Sequence, residues 1–207
     1  MIRNIWFDMG GVIFDQNTEE AFRRFREAGI DTDYYMGAYG QRDFFMDLES
    51  GKISAEEFCS RMSEAVGRKV SYEEAAHCWL GFFDGVSERK LTALDALRKH
   101  YHLGLLSNTN PFMMAFTRSD HFSGSGRPIT DFFDSFFCSY EMKCCKPDAE
   151  IYQRALAADH ISPGETLFVD DSKKNTDAAA KLGINVLQVS TNEDWTVRLP
   201  KLLAASK

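Results

Sequence analysis

Residues Thr166–Val189 read TLFVDDSKKNTDAAAKLGINVLQV. The run from Thr166 to Val169 is apolar, too short for a helix and closed by Asp170 and Asp171, which is how a strand buried on both faces of a parallel sheet reads. The stretch after Ser172 is alanine-rich and stops at Gly183, a residue that closes helices. From Ile184 to Val189 the chain returns to a short apolar run. Strand, helix and strand in this order predict a doubly wound α/β sheet whose functional residues sit at the carboxyl ends of the strands.

Two further runs of the same kind support that reading. NIWFD ends on Asp8 and LGLLSN ends on Asn108, each followed by a helical pattern. Between Asp15 and Gly85 strand-like runs are absent and apolar residues recur at helical spacing. Asn17–Thr18 starts one helix there, and Ser54 with Glu57 and Ser71 with Glu74 fit the capping box. Three or four short helices are therefore expected between the first strand and the rest of the sheet. Phe44, Phe45, Phe58, Trp79, Phe82 and Phe83 should fill their small core. Thr117–Asp131, TRSDHFSGSGRPITD, has no periodicity and reads as a loop. The domain division that follows is an α/β core over residues 1–15 and 86–207, interrupted by a helical insertion over 16–85.

The chain has 207 residues, 44% hydrophobic, with five prolines and a net charge of −7. At about 150 residues per domain this corresponds to roughly 1.4 domains, one fold with an insertion. The apolar content is enough for a core, and the acidic balance argues against a nucleic-acid partner. The apolar runs are far shorter than the roughly 20 residues that span a bilayer. Arg3 and Asp8 interrupt the N-terminal apolar residues, so a secretory leader is not expected and the cytoplasm is the expected compartment. The five cysteines, Cys59, Cys78, Cys138, Cys144 and Cys145, have no metal-type spacing and read as reduced thiols.

Asp8 stands at the end of a buried strand, ahead of Gly10–Gly11, where backbone can approach a ligand closely. Asp170 and Asp171 end another strand. Carboxylates converging in a low-dielectric cleft repel unless a cation compensates, and an all-oxygen set favours magnesium over zinc or copper. Ser107, Asn108 and Thr109 bring hydroxyl, amide and backbone donors suited to phosphoryl oxygens. Lys146 in KCCKPD offers a balancing cation, with Lys143 as the competing residue, and Pro147 suits the first turn of the helix that follows.

At these four places, in this order, the chain resembles the haloacid dehalogenase superfamily, most of whose members are phosphatases. WFDMGGVIFD is similar to its first motif, LLSNTN to the second, KPDAEIYQRAL to the third and TLFVDDSKKNTDAAAKLG to the fourth, and the helical insertion resembles its cap. The resemblance implies that Asp8 is the nucleophile forming an aspartyl-phosphate. Ser107, Asn108 and Lys146 would hold the phosphoryl group, with Lys146 also orienting Asp8. Asp8, the Gly10 carbonyl and Asp171 would ligate magnesium, and Asp170 would reach it through water. Asn175 is expected to support the loop after the fourth motif.

One position departs from the pattern. Most phosphatases of the family carry a second aspartate two residues after the nucleophile as general acid and base, and here that position is Gly10. General acid–base help is worth about 10² to 10⁴ in rate. An anomeric phosphate needs less of it, and a bacterial branch of sugar 1-phosphate phosphatases resembles this chain at Gly10 and in LLSNTN. The expected activity is therefore hydrolysis of a small phosphorylated metabolite, with a sugar 1-phosphate as the favoured substrate. Two other readings are a 2-haloacid dehalogenase, which the paired Asp170–Asp171 and the absence of an aromatic at position 10 argue against, and a phosphate-binding regulatory protein without turnover. Which of Arg42, Asp47, Glu49 and Lys52 face the substrate, and the oligomeric state, are not readable from sequence.

Overall fold

A computed structural model describes residues 1–37 and 41–205 of the chain. Five parallel strands form one sheet: β1 (Asn4–Phe7), β2 (His102–Ser107), β3 (Ser135–Cys138), β4 (Thr166–Asp170) and β5 (Asn185–Gln188). Their spatial order is β3-β2-β1-β4-β5. The chain therefore winds one way from β1 to β3 and the other way from β4, and the carboxyl ends of β1 and β4 meet where the direction reverses, the place where open α/β sheets bind ligands. The doubly wound sheet is the one expected. β3 is the strand that sequence did not reveal, because SFFC at the sheet edge is short and lacks a closing carboxylate.

Every residue of β1 and β4 is buried, which explains why both read as unbroken apolar runs. Alternate side chains face opposite layers. Ile5 and Phe7 join the larger core, while Trp6 packs with Leu106, Phe137 and Phe168 in the smaller one. That second layer is supplied by α9 (Ala149–Asp159) and α10 (Lys173–Lys181), through Ile151, Tyr152, Ala155 and Ala179. On the other face lie α6 (Glu88–Arg98), α7 (Pro111–Thr117) and α11 (Arg198–Ala205), and a single turn, α8 (Ser139–Met142), follows β3.

Between β1 and α6 the chain forms α1 (Thr18–Glu27), α2 (Thr32–Tyr35), α3 (Phe44–Glu49), α4 (Ala55–Val66), α5 (Tyr72–Trp79) and a 3₁₀ turn over Leu80–Phe82. That is five α-helices among the described residues, more than the three or four expected. The extra one, α2, is a single turn begun by Asp31, whose Oδ1 accepts the N–H groups of Asp33 and Tyr34 at 3.1 Å, and one turn has no periodicity to read. The three caps read from sequence form: Asn17, Ser54 and Ser71 each accept the backbone N–H three residues on, at 3.0, 3.2 and 3.1 Å. Phe25, Phe45, Phe58 and Trp79 interlock in the centre of this helical layer, with ring centroids 5.1 to 5.8 Å apart.

The two passages linking the layer to the sheet run side by side. Asp15 bonds Gly85 and Asp84 through its backbone at 2.8 Å, and Lys90 reaches the Asp15 carboxylate at 3.0 Å. Residues 118–128 form the expected loop, pinned by Phe122 and followed by a 3₁₀ turn that buries Ile129. All five cysteines are free. Among the described residues no helix is long and apolar enough to cross a membrane.

Candidate active site

A cleft of about 130 Å³ opens where β1 and β2 end beneath the helical layer. Its floor contains Asp8, Gly10, Ser107, Asn108 and Thr109, and its roof includes Gln16, Gln41, Glu49, Trp79 and Phe82. Trp79 and Phe82 thus serve both the helical core and the cleft, so for these two the core-filling role is only half of their placement.

Lys146 binds the floor together. It is 4% exposed, and its Nζ donates to Asp170 Oδ2 at 2.7 Å, to Asp8 Oδ1 at 2.9 Å and to the Leu106 carbonyl at 2.9 Å. Burial pushes the Lys146 ammonium down, but the attraction of Asp170 and Asp8 outweighs it and leaves the group above its ordinary value. Lys143, the rival, turns away: it adopts a left-handed backbone (φ 59°) and its Nζ bonds the Gly51 carbonyl. Sequence separates the two lysines poorly, because only the path of the loop decides which one turns inward.

Asp8 takes the Met9 N–H at 2.7 Å on the same oxygen that receives Lys146. Both of these bonds fall on Oδ1, which makes Oδ2 the better candidate for attack or ligation. Burial pushes the Asp8 carboxyl up to about 7; Lys146 opposes this, and Asp170 and Asp171 add to it. Asp170 is fully buried and saturated with donors: Ser172 N at 2.7 Å, Lys146, and the Asn175 amide at 3.1 Å to both oxygens. Asn175 therefore does support this loop, through Asp170. Asp171 receives Thr191 Oγ1 on Oδ2 at 2.5 Å, and burial raises its pKa. Gly11 keeps the turn open, since its φ of +74° suits glycine and a Cβ there would lie 2.7 Å from Asp171 Oδ2.

One carboxylate oxygen from each of Asp8, Asp170 and Asp171 lies within 4.8 Å of the others. Three converging carboxylates, two of them with raised pKa values, form an all-oxygen donor set that fits a hard divalent cation. The donor-saturated Asp170 is suited to an outer role, and Asp8 and Asp171 to direct ligation.

Two expectations need correction. The Asn108 side chain is not wholly given to the cleft: its Oδ1 accepts the Lys146 N–H at 2.8 Å and one N–H of its Nδ2 donates to the Lys146 carbonyl at 2.9 Å, which leaves one amide N–H over. It clamps the Lys146 backbone, leaving the backbone of this strand end and the Ser107 hydroxyl for a ligand. Among the described residues Thr109 Oγ1 is buried without a partner. Pro147 also lies ahead of the helix and not within its first turn, because the same clamp holds Lys146 in a loop conformation and α9 begins only after Asp148.

Of the charged residues whose direction sequence left open, Glu49 lines the cleft. Asp47 instead pairs with Arg61 at 3.2 Å and Lys52 at 3.3 Å, and Arg42 is exposed. Gln16, Gln41 and Thr191 escaped the sequence reading. Thr191 follows the fifth strand and was open to the same strand-end logic, whereas nothing in the sequence marks the two glutamines.

Comparison with known proteins agrees with this geometry. The family model described as haloacid dehalogenase-like hydrolase matches residues 2–183. D-ribitol-5-phosphate phosphatase of Bacteroides thetaiotaomicron is 41% identical over 204 residues, covering 98% of this chain and 99% of the relative. A predicted hydrolase of the same family from Porphyromonas gingivalis has a solved structure that superposes with a TM-score of 0.93 at 38% identity, covering 98% of both chains. A haloacid dehalogenase-family enzyme of Bacteroides thetaiotaomicron, solved with magnesium and inorganic phosphate, superposes at 0.87 with 30% identity, covering 96% of this chain and 99% of that one. With the motifs in order, the sheet reversing direction at Asp8 and a family model spanning most of the sequence, the chain belongs to the haloacid dehalogenase-like hydrolases.

Proposed function

We propose that this hydrolase is a magnesium-dependent phosphatase acting on a small phosphorylated sugar or alditol through an aspartyl-phosphate on Asp8. The observation that carries the proposal is the Lys146 ammonium held between Asp8 and Asp170 beside a cleft floored by Ser107 and Thr109. Asp8 Oδ2 is the attacking atom. Ser107 and the backbone after β2 bind the phosphoryl oxygens, and the Lys146 ammonium, its three N–H groups held by Asp8, Asp170 and the Leu106 carbonyl, supplies the neighbouring positive charge against which negative charge develops. Asp8, Asp171 and the Gly10 carbonyl would hold magnesium, with Asp170 in the outer role. When bound, the ion screens the nucleophile from the phosphoryl charge and neutralises charge in the transition state.

The relative named for ribitol 5-phosphate and a cleft well below the roughly 300–1,000 Å³ of drug-sized sites favour a short polyhydroxylated substrate. Both a primary alditol phosphate and a sugar 1-phosphate meet that description, and Gly10 keeps the latter as the second choice. The helical layer between β1 and α6 forms the cap that closes over the substrate.

The test is phosphate release from a panel of sugar and alditol phosphates with and without magnesium, alongside Asp8→Asn. Magnesium-dependent turnover that falls to background in the variant is expected. Full activity of a folded Asp8→Asn protein, or hydrolysis of no phosphomonoester by the wild type, overturns the proposal.

A further inference from the structure

An alkoxide departs poorly from phosphorus without a proton, and Gly10 has none to give. The space beside Gly10 is filled instead by Gln16, whose Oε1 lies 2.8 Å from where a Cβ on Gly10 would be. A side-chain amide does not exchange a proton with a leaving oxygen at neutral pH. Among the described residues lining the cleft, the side chains that can are Asp8 and Glu49. Asp8 is committed as nucleophile.

Glu49 is held in place from both sides. Its carbonyl accepts Ser139 Oγ at 2.6 Å and lies 3.7 Å from Cys145 Sγ, so residues that follow β3 fix the end of α3 beside the residue that precedes Lys146. Lys143 Nζ grips the Gly51 carbonyl two residues on. Within the helical layer, Gln41 Nε2 donates to Glu49 Oε1 at 2.7 Å, which leaves Oε2 to carry a proton. Among the described residues Gln41 Oε1 has no donor.

Resting on the phosphatase reading above, we propose that Glu49 is the general acid and base of this enzyme, supplied by the helical layer in place of the aspartate missing at position 10. As Asp8 Oδ2 bonds to phosphorus and the bond to the leaving oxygen breaks, the Glu49 carboxyl passes its proton to that oxygen and the alcohol leaves. The Glu49 carboxylate then takes a proton from the water that attacks the aspartyl-phosphate. The P–O bond to Asp8 breaks, inorganic phosphate departs and the Asp8 carboxylate is restored. Burial supports this role by pushing the Glu49 carboxyl up to about 7; the Gln41 hydrogen bond opposes it, the Asp8 charge adds to it and Lys146 opposes it, so at neutral pH both protonation states are populated.

The experiment is leaving-group dependence. kcat/KM is measured for ribitol 5-phosphate and for a series of aryl phosphates up to 4-nitrophenyl phosphate, in wild type, Glu49→Gln and Glu49→Asp. The expected result is a loss of about 10²-fold or more for Glu49→Gln on the alkyl phosphate and little change on 4-nitrophenyl phosphate, whose anion leaves without a proton. Glu49→Asp, which keeps an acid, should retain activity on both and covers the case of a poorly folding Gln variant. Equal losses on the two substrates, or no loss on either, overturn the role of Glu49 while leaving the phosphatase intact. Wild-type protein that hydrolyses neither would remove the phosphatase reading itself.

Discussion

Replacing Lys146 by methionine removes one charge and leaves two. Lys146 Nζ bonds Asp170, which is fully buried, and Asp8, whose side chain is 15% exposed, as well as the Leu106 carbonyl. Deleting one partner of a buried ion pair costs about 3–5 kcal/mol, because the remaining charge is uncompensated. An orphaned buried carbonyl costs about 1–3 kcal/mol more. Two effects offset this: methionine fills much of the lysine's volume, and Asp8, already raised to about 7, can bind a proton. A net destabilisation of about 3–5 kcal/mol is therefore expected near pH 8. The sign of its pH dependence follows from linkage. Without Lys146 the folded carboxyls bind protons more tightly than the unfolded ones, so stability is lost as pH rises and recovered as it falls. Urea unfolding of wild type and Lys146→Met at about pH 5 and about pH 8, in chelator, measures it. A loss below about 1 kcal/mol, or one that is the same at both pH values, would refute the placement of Lys146 as the counter-charge of the site.

Three other outcomes are expected. Asn108→Ala, which releases both ends of the Lys146 peptide, should lower kcat/KM by about 10²-fold in steady-state assays through misplacement of the ammonium. Gly51→Ala puts a Cβ at a φ of +64° against the Tyr140 carbonyl, so the end of α3 must shift; about 1–2 kcal/mol of stability should be lost, together with turnover of alkyl phosphates. In metal-free buffer the raised pKa values of Asp8 and Asp171 mean that thermal stability falls as pH rises from about 4 to about 7, and added magnesium should flatten that slope in melting experiments.

The floor of the site was legible because each of its parts is local. Asp8, Ser107 and Asp170 end strands whose burial on both faces makes them unbroken apolar runs, and Asp171 comes directly after the last of these; a parallel sheet brings such ends together whatever lies between them. The capping hydroxyls at Ser54 and Ser71 were legible for the same reason, since the bond each makes is three residues long. The clamp that Asn108 makes was not legible because its partner, the Lys146 backbone, is distant in sequence, and an amide that clamps backbone reads the same as one that faces a ligand.

The roof belongs to a different class of information. Gln16, Gln41 and Glu49 lie on separate turns and helices whose apolar spacing settles which face packs inward and says nothing about which polar residue overhangs the sheet. Their meeting depends on Ser139 and Cys145 gripping the Glu49 carbonyl and on Asp15 pairing with Gly85 where the chain crosses between layers. Strand-end chemistry is written in short-range pattern. The side chain that takes the place of a missing aspartate is set by long-range docking of one layer on another, and no local pattern encodes it.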